Sequence, residues 1–159
     1  MTPARCPHQT PDARPCPLAE RLDVARSRCE RDGERWTEPR RRTYQLLVEA
    51  GRPVKAYDLI AAYKAPGQVA PPPTVYRALE FLLARGLVHR IESRNAFVAC
   101  EHPETDHAPE FLICECCGRT EELRNDLNRV VREQARARGY VVRTATVELT
   151  GLCPACRAS

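Results

Sequence analysis

Cys114-Glu-Cys-Cys117-Gly is answered near the end of the chain by Cys153-Pro-Ala-Cys156. Each Cys-x-x-Cys pair offers two thiolates from a single turn, and two such knuckles close the four-coordinate, all-thiolate shell of structural zinc. The 35 residues between the pairs exceed the ordinary zinc-ribbon gap of about 15–20, so they must hold structure of their own. Buried or stray thiols, the alternative, would have to account for both pairs at matched spacing. The stretch leading into the first knuckle carries His89, Cys100 and His107, and Glu122 follows it. Their separations of 11, 7 and 15 residues match no compact metal motif, and each alone reads as an ordinary surface or core residue. Together they make two imidazoles, a thiolate and a carboxylate, a donor set that zinc accepts. Spacing leaves both readings open.

The 159 residues suit one large domain or two small ones, and 43% apolar residues suffice for a core. No apolar run approaches the roughly 18 residues of a membrane span. The opening MTPARCPHQTPDARPCP lacks the apolar segment of a secretory signal. Nine cysteines without such a signal point to a reducing cytoplasm, and so to metal rather than disulfides. Charge is uneven along the chain. Residues 1–99 hold 17 Lys and Arg against 11 Asp and Glu, a net of +6, whereas residues 100–159 hold 8 against 10, a net of −2. A basic half joined to a mildly acidic one suggests that the first half meets a polyanion.

Elements must position these residues. Residues 1–17, with five of the fourteen prolines, predict a disordered tail, and Cys6, His8 and Cys16 within it are tail residues without an assigned role. Leu18 to Arg31 follows a helical pattern through Leu22 and Ala25. Thr37-Glu-Pro39 announces a second helix with Thr37 as N-cap, a core face of Tyr44, Leu47 and Val48, and a stop at Gly51. Arg40, Arg41 and Arg42 at its start oppose the helix dipole, which makes sense beside phosphates, although a solvated charge run is commoner. Ala56 to Tyr63 predicts a third helix, and Ala65 to Pro73 a loop. Pro-Pro-Thr74 starts a fourth helix through Arg85-Gly86 with the stripe Val75, Leu79, Leu82 and Leu83, and Arg77 falls about 200° around from Val75 on its outer face. Leu87–Ile91 and Ala96–Ala99 alternate as a hairpin. Three helices ending in a capped one, then a hairpin, is the winged-helix layout, in which the last helix enters the major groove. A small helical bundle with no nucleic-acid role has the same pattern.

Glu101 to Pro109 reads as a polar loop, and Phe111–Ile113 and Arg119–Leu123 as strands flanking the first knuckle. Asn125 to Arg138 predicts an amphipathic helix and Tyr140 to Leu149 a long final strand. A free edge and an exposed helix face on so small a sheet invite pairing with a second copy.

Ala56-Tyr57-Asp58-Leu59, Pro72-Pro73-Thr74-Val75-Tyr76-Arg77-Ala78-Leu79, Gly86-Leu-Val-His89 and Phe111-Leu-Ile-Cys114-x-x-Cys117-Gly118 resemble the Fur family of metal-dependent transcriptional repressors, and within it the zinc uptake regulator (Zur) branch. The resemblance covers about residues 18–157. It implies an α+β chain with an N-terminal winged-helix domain over 18–99, a hinge over 100–109 and a C-terminal α/β dimerisation domain over 110–159. The metal-loaded homodimer would bind operator double-stranded DNA and repress zinc-uptake genes, with Zn2+ as corepressor. Two Zn2+ per chain are implied. The structural ion falls on Cys114, Cys117, Cys153 and Cys156, and the regulatory ion on His89, Cys100, His107 and Glu122. Base reading falls on Tyr57 and Arg77, Thr74 and Tyr76 join them on the DNA face, and Arg40, Arg41 and Arg42 take phosphates. The segment before the first knuckle keeps one His where the iron-sensing branch has a His-rich run, which favours zinc. Ala61 stands where some relatives have an acidic residue for contacts between neighbouring dimers. Cys116 has no family role.

A zinc hydrolase is the rival from another class. It needs an open coordination position and a nearby base, whereas both proposed sites have four protein ligands and no His-Glu-x-x-His motif occurs. No small organic substrate is expected. A redox-sensing regulator on the same fold is a third reading.

Overall fold

The apolar stripes of the basic half converge on one core. In the computed structural model, which describes residues 17–63, 72–103, 107–123 and 127–158, that half forms α1 (Leu18–Arg31), α2 (Glu38–Ala50), α3 (Ala56–Ala62) and α4 (Pro72–Ala84). Strands β1 (Val88–Ile91) and β2 (Ala96–Ala99) follow. The expected spans of α1 and α2 are those observed, and the hairpin differs only in that its first strand begins at Val88 rather than Leu87. Thr37 has the extended backbone of an N-cap, and its carbonyl accepts the Arg41 N–H at 2.9 Å, but its hydroxyl makes no cap bond. Residues 64–71, most of the expected loop, and residues 1–16 with Cys6, His8 and Cys16 lie outside the described residues. Pro72 and Pro73 belong to α4, since Pro lacks only an N–H that a first turn leaves unused.

Tyr44 and Leu47 from α2, Leu59 from α3 and Val75, Leu79 and Leu82 from α4 are buried together with Ala25 and Cys29 of α1 and with Leu87, Val88, Phe97 and Ala99 of the wing. The α4 stripe ends where Gly86, at φ +63, turns the chain so that Leu87 N–H reaches the Leu82 carbonyl at 3.0 Å. The wing is antiparallel with Val88 opposite Ala99 and Ile91 opposite Ala96, and its tip is a 3-10 turn over Glu92–Arg94 closed by Asn95 at φ 46. Val54 pairs with Phe97 in an isolated antiparallel bridge beside the wing.

The chain divides into two compact units between Asp106 and His107. The second contains β3 (Glu110–Cys114), β4 (Thr120–Glu122), α5 (Leu127–Ala137), β5 (Val147–Gly151) and α6 (Pro154–Arg157). Its sheet runs β4-β3-β5, antiparallel on one side and parallel on the other. Strand β5 differs from the one expected over Tyr140–Leu149. Only Val147–Gly151 is strand, in register with the five residues of β3, and Tyr140–Thr146 pairs with no strand among the described residues. β3 pairs through all five of its residues with Val147–Gly151 and supplies no further ladder partners for the alternating segment. The start of the helix expected at Asn125 lies outside the described residues; α5 is described from Leu127.

Phe111 and Ile113 are the large apolar side chains buried in this second unit, while Val130, Val131, Tyr140, Val141 and Leu149 stay exposed. Such a core is too small to be stable unaided.

Candidate metal centre and DNA-facing helix

The parallel register sets the first site. Cys114, the last residue of β3, stands beside Gly151, the last of β5. Glu115 N–H bonds to the Gly151 carbonyl at 2.8 Å, so the chain leaving β5 meets the chain leaving β3. The first knuckle is a tight turn: Gly118 N–H bonds to the Cys114 carbonyl at 3.0 Å with Gly118 at φ +78, a conformation that favours glycine. The second knuckle is α6, with Cys153 as its N-cap and Cys156 one turn on. The four sulfurs lie within 4.8 Å of one another, and Cys117 and Cys153 are 3.8 Å apart. A tetrahedron with zinc–sulfur bonds of about 2.3 Å has edges of about 3.8 Å, so these residues fit a zinc ion.

Electrostatics favour the same occupant. Burial pushes the Cys114 thiol up, but the N–H groups of Cys117, Cys153 and Cys116 outweigh it and draw the thiol down to about 6. The Cys153 N–H lies 3.4 Å from the Cys114 sulfur. The Arg119 backbone pulls the Cys117 thiol down, yet burial and the neighbouring Cys114 and Cys153 leave it raised. Thiolates this close repel one another, and a dication removes the repulsion. Cys116 is exposed and is not one of the four.

The other four metal candidates come in pairs, one pair in each unit. His89 pairs with Val98 across the wing, and the Cys100 N–H bonds to the Leu87 carbonyl at 2.9 Å. Cross-strand partners share a face and so do residues two apart, so His89 and Cys100 face the same way. Their ligand atoms lie within 4.8 Å and both residues are buried. In the second unit the His107 Nε2 is 2.5 Å from a Glu122 carboxylate oxygen.

Of the residues expected to meet DNA, Tyr57 is 78% exposed on α3 and Tyr76 49% exposed on α4. Arg77 is exposed and Thr74 half-buried, while Val75, Ala78 and Leu79 point into the core. The three arginines of α2 differ. The Arg40 guanidinium sits 3.3 Å from the centre of the Phe81 ring and donates to the Arg35 carbonyl. Arg41 holds the Glu38 carboxylate with bonds of 2.7 and 2.8 Å and Gln45 at 3.1 Å, and Arg42 is half-buried.

Three contacts escaped the sequence reading because their partners are distant in the chain. Buried Glu110 on β3 accepts the Asn128 N–H at 2.7 Å and so caps the first turn of α5. Arg85 at the end of α4 bonds to Glu34 in the α1–α2 turn. Arg21 of α1 donates to the Cys100 carbonyl at 2.7 Å, 79 residues away. Local periodicity carries no signal for any of them.

Helices and wing followed by an α/β unit give the architecture of the zinc uptake regulators, an N-terminal winged-helix domain and a C-terminal dimerisation domain. The chain belongs to the ferric uptake regulator family, whose model matches residues 31–150. It is 34% identical over 139 residues to the zinc uptake regulation protein of Escherichia coli (strain K12), covering 86% of this chain and 81% of that protein. A zinc uptake regulator solved in complex with zinc and DNA superposes with a TM-score of 0.84 at 32% identity, over 90% of this chain and 97% of the other. The crystal structure of holo XcZur gives 0.82 at 39% identity, over 90% and 100%.

Proposed function

We propose that this protein is a zinc-responsive transcriptional repressor of zinc-uptake genes, which binds operator DNA as a homodimer with zinc as corepressor. The observation that carries this reading is the position of His89 and Cys100 on the wing itself, within 4.8 Å of each other. A sensor ion held there reports directly to the DNA-binding unit.

Two Zn2+ bind each chain. Cys114, Cys117, Cys153 and Cys156 hold a structural ion within the C-terminal unit. His89, Cys100, His107 and Glu122 hold a regulatory ion, two ligands from each unit, across a hinge at about residues 100–109. When bound, that ion supplies coordinate bonds joining the two units and selects the orientation in which paired recognition helices meet half-sites about 34–36 Å apart. A mixed nitrogen, sulfur and oxygen set exchanges metal more readily than four thiolates, which suits sensing.

Arg77 reads a guanine edge from α4, with Tyr57, Thr74 and Tyr76 around it, and Arg40, Arg41 and Arg42 contact phosphates. The Arg41–Glu38 pair is surface-exposed and worth about 0–1 kcal/mol, so phosphate can displace the carboxylate. The second copy covers the exposed apolar residues of α5 and the 140–149 segment. No helix among the described residues is long and apolar enough to cross a membrane, and the reduced thiolates suit the cytoplasm.

Operator binding measured across a series of buffered free-zinc concentrations, with metal counted per chain, tests the reading. Affinity should rise with zinc and saturate at two ions per chain. Zinc-independent binding would overturn it.

A further inference from the structure

Arg21 and Arg28 lie two turns apart on α1, on the side that also carries buried Ala25 and Cys29. Arg21 Nη2 donates to the Cys100 carbonyl at 2.7 Å, and Arg28 Nη1 donates to the carbonyl of buried Pro103. Both are charge-assisted bonds, stronger than neutral ones, and both are made to backbone that continues directly from β2. Between them the His102 N–H donates to the Cys100 sulfur at 3.3 Å. The Cys100 N–H is meanwhile tied to Leu87 at 2.9 Å. Cys100 is therefore held at its amide, its carbonyl and its sulfur, and two of the anchors along this segment belong to a helix seated in the core. Apart from Arg31, α1 precedes the span matched by the family model.

We propose that Arg21 and Arg28 are positioning residues for the regulatory metal: α1 clamps the Cys100–Pro103 segment so that the Cys100 thiolate is presented before the ion arrives. The proposal rests on the regulatory-site reading given above. Without the clamp, part of the binding free energy goes into ordering that segment, and the ion is held more weakly. Removing partners that orient a ligand typically costs 10–100-fold in metal affinity.

Chelator competition on the full-length, zinc-loaded protein resolves a tighter and a weaker zinc. In Arg21→Ala the weaker zinc should bind about 10–100-fold less tightly, with the tighter zinc unchanged and the melting temperature unchanged when the weaker zinc has been removed. Arg28→Ala should act in the same direction. Arg21→Lys, which keeps a charged donor, should recover part of the loss. Cys100→Ser, the reference, should lose the weaker zinc altogether. Unchanged weak-site affinity in both Arg21→Ala and the Arg21→Ala, Arg28→Ala double variant, with Cys100→Ser defective, overturns the clamp and leaves the regulatory site standing. A weaker zinc retained by Cys100→Ser overturns both. Equal weakening of the two zincs marks a general loss of fold and likewise overturns the clamp.

Discussion

Cys114 stands beside Gly151 at the shared end of two parallel strands, and the chain leaving each strand turns at once into a Cys-x-x-Cys knuckle. One register thus aligns all four sulfurs, and the same sulfurs, once joined by metal, hold β5 to β3. Site and sheet depend on each other in a unit with few buried apolar residues.

Cys114→Ser and Cys153→Ser should each lose one zinc per chain and unfold or monomerise the C-terminal unit. Structural zinc contributes apparent free energies of about 10–16 kcal/mol in small metal-dependent domains, far more than this core supplies. Metal content and sedimentation check this; a folded dimer lacking one zinc would contradict it.

Acid should empty the same centre. The folded Cys114 thiol lies at about 6, below its ordinary value of 9.0. A depressed pKa gives a stabilisation complete above the unfolded value and lost as pH falls through the folded one. Bound zinc holds the thiolates against protons beyond that metal-free value, so zinc release and loss of C-terminal structure should coincide at a pH below about 6. A metal indicator and circular dichroism can follow one titration; release on raising the pH from neutrality would have the wrong sign.

Arg77→Ala should cost about 1–3 kcal/mol in discrimination between operator and non-operator DNA if Arg77 makes the proposed bidentate guanine contact. Arg41→Ala should weaken all sequences alike and lower the salt slope by about one. Fluorescence anisotropy at several salt concentrations separates the two. Equal losses on both DNAs for Arg77→Ala would place the wrong helix in the groove.

His89→Ala and Cys100→Ser should leave a folded dimer that keeps its structural zinc but no longer responds to free zinc in operator binding. Linkage adds a second check: operator DNA must tighten regulatory zinc binding by the factor through which zinc tightens DNA binding. Zinc affinity indifferent to operator, measured by chelator competition, would dismiss this switch.

Some of this protein is written locally in its sequence. A Cys-x-x-Cys knuckle needs only one turn, so both knuckles are legible without a fold. Helical stripes such as Val75, Leu79 and Leu82 repeat within one element, and α1 and α2 follow their expected bounds, with the wing hairpin off by the single residue Leu87. The alternation through Tyr140–Thr146 misled because a strand is defined by its neighbour, and β3 supplies five residues of partner, no more. His89 and Cys100, 11 residues apart, share a face only because the hairpin pairs Val88 with Ala99; a slip of one residue would send them to opposite faces. Arg40 over Phe81, Glu110 beneath α5 and Arg21 on the Cys100 carbonyl were likewise settled by tertiary structure. Each joins residues that no local period relates, and only closure of the core and the sheet brings them within bonding distance.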